Sequence, residues 1–206
     1  LMWMKHELPS DTIVVSWWDY GYWISIIGNQ TTLADNGTIN TTQIANVGRI
    51  FMSNNTESIK ILEKYEHNGR RPEYIVVFTT FRTDGSEGGY GDEGKWRWMA
   101  RIAASRYTDY FDDNTFGNLT LGQDWVDTNG NGQRDQEDEV IPNAKGQNST
   151  IYQLMTYAME TKLGNPPTPE FALNLQGDPY FEEAYFSPSG PYGNIHVLVA
   201  VYKINY

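Results

Sequence analysis

The 206-residue chain has no cysteine, which rules out a disulfide framework and any thiolate zinc site. Its three histidines, His6, His67 and His196, stand apart from any carboxylate pattern, so an imidazole-centred triad is not expected. The Gly-x-Ser-x-Gly elbow, the P-loop and His-Glu-x-x-His are all missing. No apolar run reaches the roughly 20 residues that span a bilayer, and the first residues lack the basic-then-apolar order of a signal peptide. Basic side chains are scarce: 15 Lys and Arg against 26 Asp and Glu leave a formal net charge of -11. That balance argues against a nucleic-acid partner and fits a solvated surface, cation binding or adaptation to salt. With so many acids, sequence alone selects no glycosidase carboxylate pair.

Aromatics are plentiful, with seven Trp and fourteen Tyr, which suits carbohydrate or peptide contacts and equally a well-filled core. The start, "LMWMKHELPSD", reads as the last turns of a helix stopped by Pro9, as in an excised domain. "DTIVVSWW" (11–18) is a buried strand ending at a Trp pair, "GYWISIIGN" a short helix ending at Gly28, and "TTLAD" (31–35) a second strand. Asn40 or Thr41 caps a helix to about Met52, with Ile44, Val47 and Phe51 on one face. A further helix starts at Thr56, with Ile59, Leu62 and Tyr65 inward. "EYIVVFTTF" (73–81) is the clearest strand. "RTDGSEGGYGD" reads as a Gly-rich loop too polar to pack, and a helix follows from Asp92 to about Arg106. Ser149 or Thr150 caps a helix closed by Gly164, and "YFEEAYFS" with "NIHVLVAVYKINY" reads as a terminal β hairpin. The expected fold is mixed α+β (α/β): helices packed around a small sheet, an irregular acidic insertion and a C-terminal β lobe. Residues 1–106 with 149–206 form the expected core, and 107–148 the insertion.

Two constellations carry chemistry. In "SWWDYG" the strand end presents two indole N–H donors, from Trp17 and Trp18, beside the Asp19 carboxylate. Together they can surround one hydroxyl, the indoles donating to its oxygen and Asp19 accepting its proton, while Gly21 lets the chain turn. The plainer alternative is a core Trp followed by a capping Asp. In "DEGKWRWM" Asp92, Lys95 and Met99 fall at offsets of three and four, on one face of the expected helix. Here the plainer alternative is an N-capping Asp, an exposed Lys and a core Met.

The pentapeptide "WWDYG" resembles the signature of the catalytic subunit of oligosaccharyltransferase, the enzyme of asparagine-linked glycosylation. "DEGKWRWM" is similar to the Asp-x-x-Lys-x-x-x-Met/Ile helix motif of the archaeal type. The order lead-in helix, strand, Trp motif, "DNGT", paired helices, strand, motif helix is also similar, over residues 1–106. The resemblance implies a C-terminal globular domain on the extracytoplasmic face of a membrane, where Trp17, Trp18 and Asp19 bind the Ser or Thr hydroxyl of an acceptor Asn-x-Ser/Thr sequon. Lys95 joins that pocket, and Asp92 and Met99 orient or line it. It also implies that the transfer step, its Mg2+ or Mn2+ and its lipid-linked oligosaccharide donor belong to a membrane part outside this chain, leaving this piece inactive alone.

"DTNGNGQRDQED" (127–138) matches the twelve-residue calcium loop at positions 1, 3, 5, 6 and 9, with Gly132 at the sharp turn and Asp138 in place of the usual last Glu. The ligand set is Asp127, Asn129, Asn131, Gln133, Asp135 and Asp138, and a Ca2+ held there is expected to be structural. Six Asn-x-Ser/Thr triplets, at Asn29, Asn36, Asn40, Asn54, Asn118 and Asn148, are compatible with an extracytoplasmic surface. The acidity, aromatics and calcium loop also suit a calcium-dependent carbohydrate-binding module, and an excised glycoside hydrolase domain is a third reading. The two motifs in matching order favour the transferase.

Overall fold

The run Tyr74–Arg82 (β3) lies at the centre of the main sheet. The computed structural model describes residues 1–66, 68–86, 88–107, 124–126, 130–132, 139–141, 144–164, 180–188 and 191–206. Side chains of β3 alternate between two apolar layers: Ile75, Val77 and Phe81 enter one, Val76 the other, as the two-residue period of a strand requires. A strand covered on both faces keeps no polar face, which explains the unbroken "IVVF".

Ile13–Val15 (β1) runs parallel to β3, and Thr31–Thr32 (β2) runs parallel to β1 on its outer side. On the opposite flank Ile195–Ile204 (β8) pairs antiparallel with β3 from Tyr74↔Lys203 to Arg82↔Ile195. Phe181–Phe186 (β6) and Pro191–Tyr192 (β7) pair antiparallel with β8. Asp124–Val126 (β4) and Glu139–Ile141 (β5) make a separate antiparallel pair. One sheet face carries Met2–Glu7 (α1) and a π-helical turn at Trp23–Ile27, which bury Met4 and Ile24 against Val14, Val76 and Val201. The other face carries Thr41–Met52 (α2), Asn55–Leu62 (α3), Trp96–Ala104 (α4) and Thr150–Leu163 (α6), preceded by the short Ala144–Gln147 (α5). Among the described residues, no helix is long and apolar enough to cross a membrane.

The helices begin and end where local chemistry dictates. Asn40 Oδ1 accepts from Gln43 N–H at 2.9 Å, Asn54 Oδ1 from Glu57 N–H at 2.9 Å, and Ser149 Oγ from Tyr152 N–H. Each is an N-cap satisfying a first-turn donor. Gly164, at φ +77°, closes α6 in the left-handed region, where a residue without Cβ is favoured.

The mixed α+β class agrees with the sequence, and several local expectations change. β1 ends at Val15, two residues before the Trp pair, and "TTLAD" contributes only Thr31 and Thr32 to a strand. α3 starts at Asn55 because Asn54 is its cap. The C-terminal strands pair antiparallel, β6 with β8, as the expected hairpin, and β8 also completes the central sheet, its Leu198, Ala200 and Tyr202 lying in the main core. The loop after β3 does pack. Gly88 N–H donates to the Thr80 carbonyl at 2.8 Å and Tyr90 N–H to Thr80 Oγ1 at 3.1 Å, so the loop's polar backbone is spent on the strand.

α2 and α4 approach closely at Gly48, where a Cβ would stand 2.7 Å from the Met99 carbonyl oxygen. Backbone cannot yield there without moving α4, so Gly48→Ala is expected to destabilise the chain by about 1–3 kcal/mol, the usual cost of overpacking. The urea midpoint measures it, with an unchanged slope marking a stability effect alone.

Candidate functional site

After Val15 the chain leaves the sheet. Trp17 is extended, then Trp18–Tyr20 form a single 3-10 turn. The two indoles therefore part. Trp17 is 2% exposed and belongs to the main core with Val15, Val47 and Met99, while Trp18 is half-buried, its ring centre 6.3 Å from that of Trp17. Gly21 is in an ordinary helical conformation, at φ -56° and ψ -47°, so turning is not what demands a glycine. A Cβ there would meet the Ala34 carbonyl oxygen at 2.5 Å and Asp35 Cα at 2.5 Å. Close approach of the 34–35 loop is the reason.

The second motif folds differently from the expected continuous helix. Asp92–Gly94 form a 3-10 turn, Lys95 is the N-cap, and α4 starts at Trp96. The cause lies in β3. Its last register pair with β1 is Val15↔Ile75, so beyond that point this side of β3 faces no described strand. Two carboxylates fill the gap. Asp92 Oδ2 accepts from Phe78 N–H at 2.8 Å, and Glu93 Oε1 accepts from Thr80 N–H at 3.1 Å, from Gly91 N–H at 2.9 Å and from the Thr80 hydroxyl. Asp92 is 0% and Glu93 6% exposed. A buried unpaired N–H costs about 1–3 kcal/mol, and hydrogen bonds to a charged acceptor are the stronger kind. The turn is thus pulled onto the strand, which breaks the helix register before Trp96. Met99, at 0% exposure, packs in the core with Trp17.

From this turn Lys95 reaches back to the first motif. Its Nζ donates to Asp19 Oδ2 at 2.5 Å and to the Tyr20 phenol oxygen at 2.7 Å. Tyr20 in turn donates its hydroxyl to Asp92 Oδ1 at 2.7 Å, and its ring packs edge-on against Phe78. A continuous chain results: Asp19, Lys95, Tyr20, Asp92, then the backbone of β3. Such chains polarise one another in a low dielectric. Burial, helped by the neighbouring carboxylates, pushes the Tyr20 phenol well above its ordinary range, so it stays a donor. Burial likewise pushes the Asp92 carboxyl up to about 7, against the hydrogen bonds from Phe78 and Tyr20 and the charge of Lys95. Two acceptors are left over: Asp19 Oδ1 and Glu93 Oε2 are shielded from solvent and have no hydrogen-bond partner among the described residues.

The structure therefore brings Asp19, Lys95 and Asp92 together, with Trp18 adjacent in the chain and Trp17 and Met99 in the packing beneath. Tyr20 and Glu93 were not singled out from the sequence. Tyr20 lies inside the pentapeptide, which was the available signal; Glu93 offered none, because its strand partner, the N–H and hydroxyl of Thr80, is 13 residues away. Of the calcium ligand set, Asp127, Asn129, Gln133, Asp135 and Asp138 lie outside the described residues; Asn131 and Gly132 are in a described bend. Among the described residues no group of three or more His, Asp or Glu is placed to hold a metal ion.

Residues 10–75 match the family model of the STT3/PglB/AglB core domain. That segment holds the Trp17–Gly21 turn and ends before Asp92 and Lys95. Over 204 residues, 98% of this chain, the sequence is 29% identical to the dolichyl-diphosphooligosaccharide–protein glycosyltransferase subunit stt3 of Schizosaccharomyces pombe, covering 24% of that protein. It is 40% identical over 102 residues, 48% of this chain, to the STT3B subunit of the same glycosyltransferase from Oryza sativa, covering 13% of that protein. The chain thus spans a quarter or less of these relatives, which are eukaryotic. A crystal structure of the C-terminal globular domain of oligosaccharyltransferase from Archaeoglobus fulgidus superposes with a TM-score of 0.50 at 16% identity, over 99% of this chain and 93% of that one. That likeness is one of fold.

The raised Asp92 carboxyl has a consequence for stability. Between the ordinary carboxylate range and about 7 the folded chain holds a proton on Asp92 that the unfolded chain releases. Its contribution is therefore complete below about pH 4 and is lost as pH rises through about 7. Thermal melts of wild type and Asp92→Asn from pH 4 to pH 8 are expected to show wild type losing stability relative to the variant across that window. Parallel profiles would show that Asp92 does not titrate there.

Proposed function

We propose that this chain is the acceptor-reading domain of an oligosaccharyltransferase and that the Trp18–Asp19–Lys95 site binds the Ser or Thr hydroxyl of an Asn-x-Ser/Thr sequon. The observation that carries the reading is the division of labour on Asp19. Lys95 holds Oδ2 at 2.5 Å, whereas Oδ1 is left without a donor. A Ser or Thr hydroxyl supplies one. The Trp18 indole N–H then donates to the hydroxyl oxygen. Similarity to oligosaccharyltransferase subunits supports the same role. Transfer itself, the divalent metal and the lipid-linked oligosaccharide donor are assigned to the part of the enzyme outside this chain, and the site to the extracytoplasmic face.

A pocket built to hydrogen-bond a hydroxyl rejects an analogue lacking it by several orders of magnitude. In the full-length enzyme, Asn-x-Thr peptides are expected to be glycosylated and Asn-x-Val, a near isostere, to fail. Asp19→Ala and Trp18→Phe are each expected to lower transfer, by about 1–3 kcal/mol per unpaired polar group. Transfer assays with the two peptides decide: near-wild-type rates with intact Thr-over-Val discrimination in both variants would reduce the motif to packing.

A further inference from the structure

The Trp18–Tyr20 turn is not closed by its own backbone alone. The side chain of Asn36, in the "DNGT" loop before α2, bridges it from outside. Asn36 Nδ2 donates to the Asp19 carbonyl oxygen at 2.9 Å, and Asn36 Oδ1 accepts from Tyr22 N–H at 3.1 Å. One amide thus holds the main chain immediately on either side of the Tyr20–Gly21 step. The loop bearing it is fixed in turn. Asp35 Oδ1 accepts from Gly37 N–H at 2.8 Å, and Gly21 lets the 34–35 backbone approach to a distance no Cβ tolerates. The Asp19 carboxylate is therefore located by two independent ties. Lys95 holds the side chain, and Asn36 holds the backbone from which it springs.

We infer that Asn36 is a positioning residue for the hydroxyl-reading carboxylate of Asp19, setting the Asp19 backbone so that Oδ2 stays on Lys95 and Oδ1 is kept without a donor, for the sequon hydroxyl. The inference rests on the reading of the site given above. It requires the donor half of the amide, because only Nδ2 contacts Asp19. The acceptor half, which takes the Tyr22 N–H, shapes the turn but does not act on Asp19 directly.

Asparagine and aspartate separate the two halves. Asn36→Asp keeps the shape and the acceptor for Tyr22 N–H but sets a carboxylate oxygen against the Asp19 carbonyl. Asn36→Ala removes both contacts. Both variants, with Asp19→Ala as control, are assayed in the full-length enzyme for kcat and KM on an Asn-x-Thr peptide, with circular-dichroism melts run alongside. A misplacement of the order of 1 Å costs up to about 100-fold, so kcat/KM is expected to fall by about tenfold or more in both Asn36 variants, mainly through KM. Asn36→Asp is expected to be at least as impaired as Asn36→Ala, and the Asn36→Ala/Asp19→Ala pair no worse than Asp19→Ala alone. Wild-type kinetics in Asn36→Asp beside an impaired Asp19→Ala would overturn the inference and leave the sequon reading standing. So would additive losses in the pair, or a loss matched by a collapsed melt in Asn36→Ala but absent in Asn36→Asp. Wild-type transfer by Asp19→Ala would overturn both.

Discussion

β3 is longer than its parallel neighbour, and much of the site follows from that mismatch. Past Val15↔Ile75 the strand presents Phe78 and Thr80 N–H groups with no described strand beside them. Asp92 and Glu93 satisfy these donors from within the protein. Two buried carboxylates are a costly way to finish a sheet edge unless each is well bonded, and both accept more than one hydrogen bond. The consequence is positional: the turn that caps the edge also fixes the start of α4, and so the point from which Lys95 extends.

On the other side of the site the chain is fixed by packing. Trp17, two residues past the end of β1, lies in the same core as Met99, and α4 is pressed against α2 at Gly48. Two motifs about 75 residues apart therefore share one core, which brings Asp19 and Lys95 into contact. Site geometry and fold stability are coupled here: what moves α4 moves Lys95.

Features governed by neighbours in sequence were legible without a structure. The Asn40 and Ser149 caps, the Gly164 stop and the alternating β3 depend on residues within a turn or two, and they lie where pattern and propensity place them. The α2 face was equally plain, with Ile44, Val47 and Phe51 all buried. Long-range bonds were not legible. Asp92 looked like a helix cap because its true partners, Tyr20 and Phe78, are 72 and 14 residues away. Gly21 looked like a turn residue because the Ala34 carbonyl that excludes a Cβ is invisible in the sequence. Of the Trp pair, Trp17 is buried in the core and Trp18 is only half-buried against it. Which ring goes inside was decided by the chain leaving the sheet at Ser16.

We propose that Asp19 is held by Lys95 on one oxygen so that the other can accept a hydroxyl proton. The most direct measurement is a structure of the full-length protein with a bound Asn-x-Thr peptide. The threonine hydroxyl is expected within hydrogen-bond distance of an Asp19 oxygen, about 2.5–3.0 Å, with Lys95 still on the other. A peptide whose hydroxyl is bound elsewhere, with the Asp19–Lys95 pair unchanged and Oδ1 still unpaired, would contradict it.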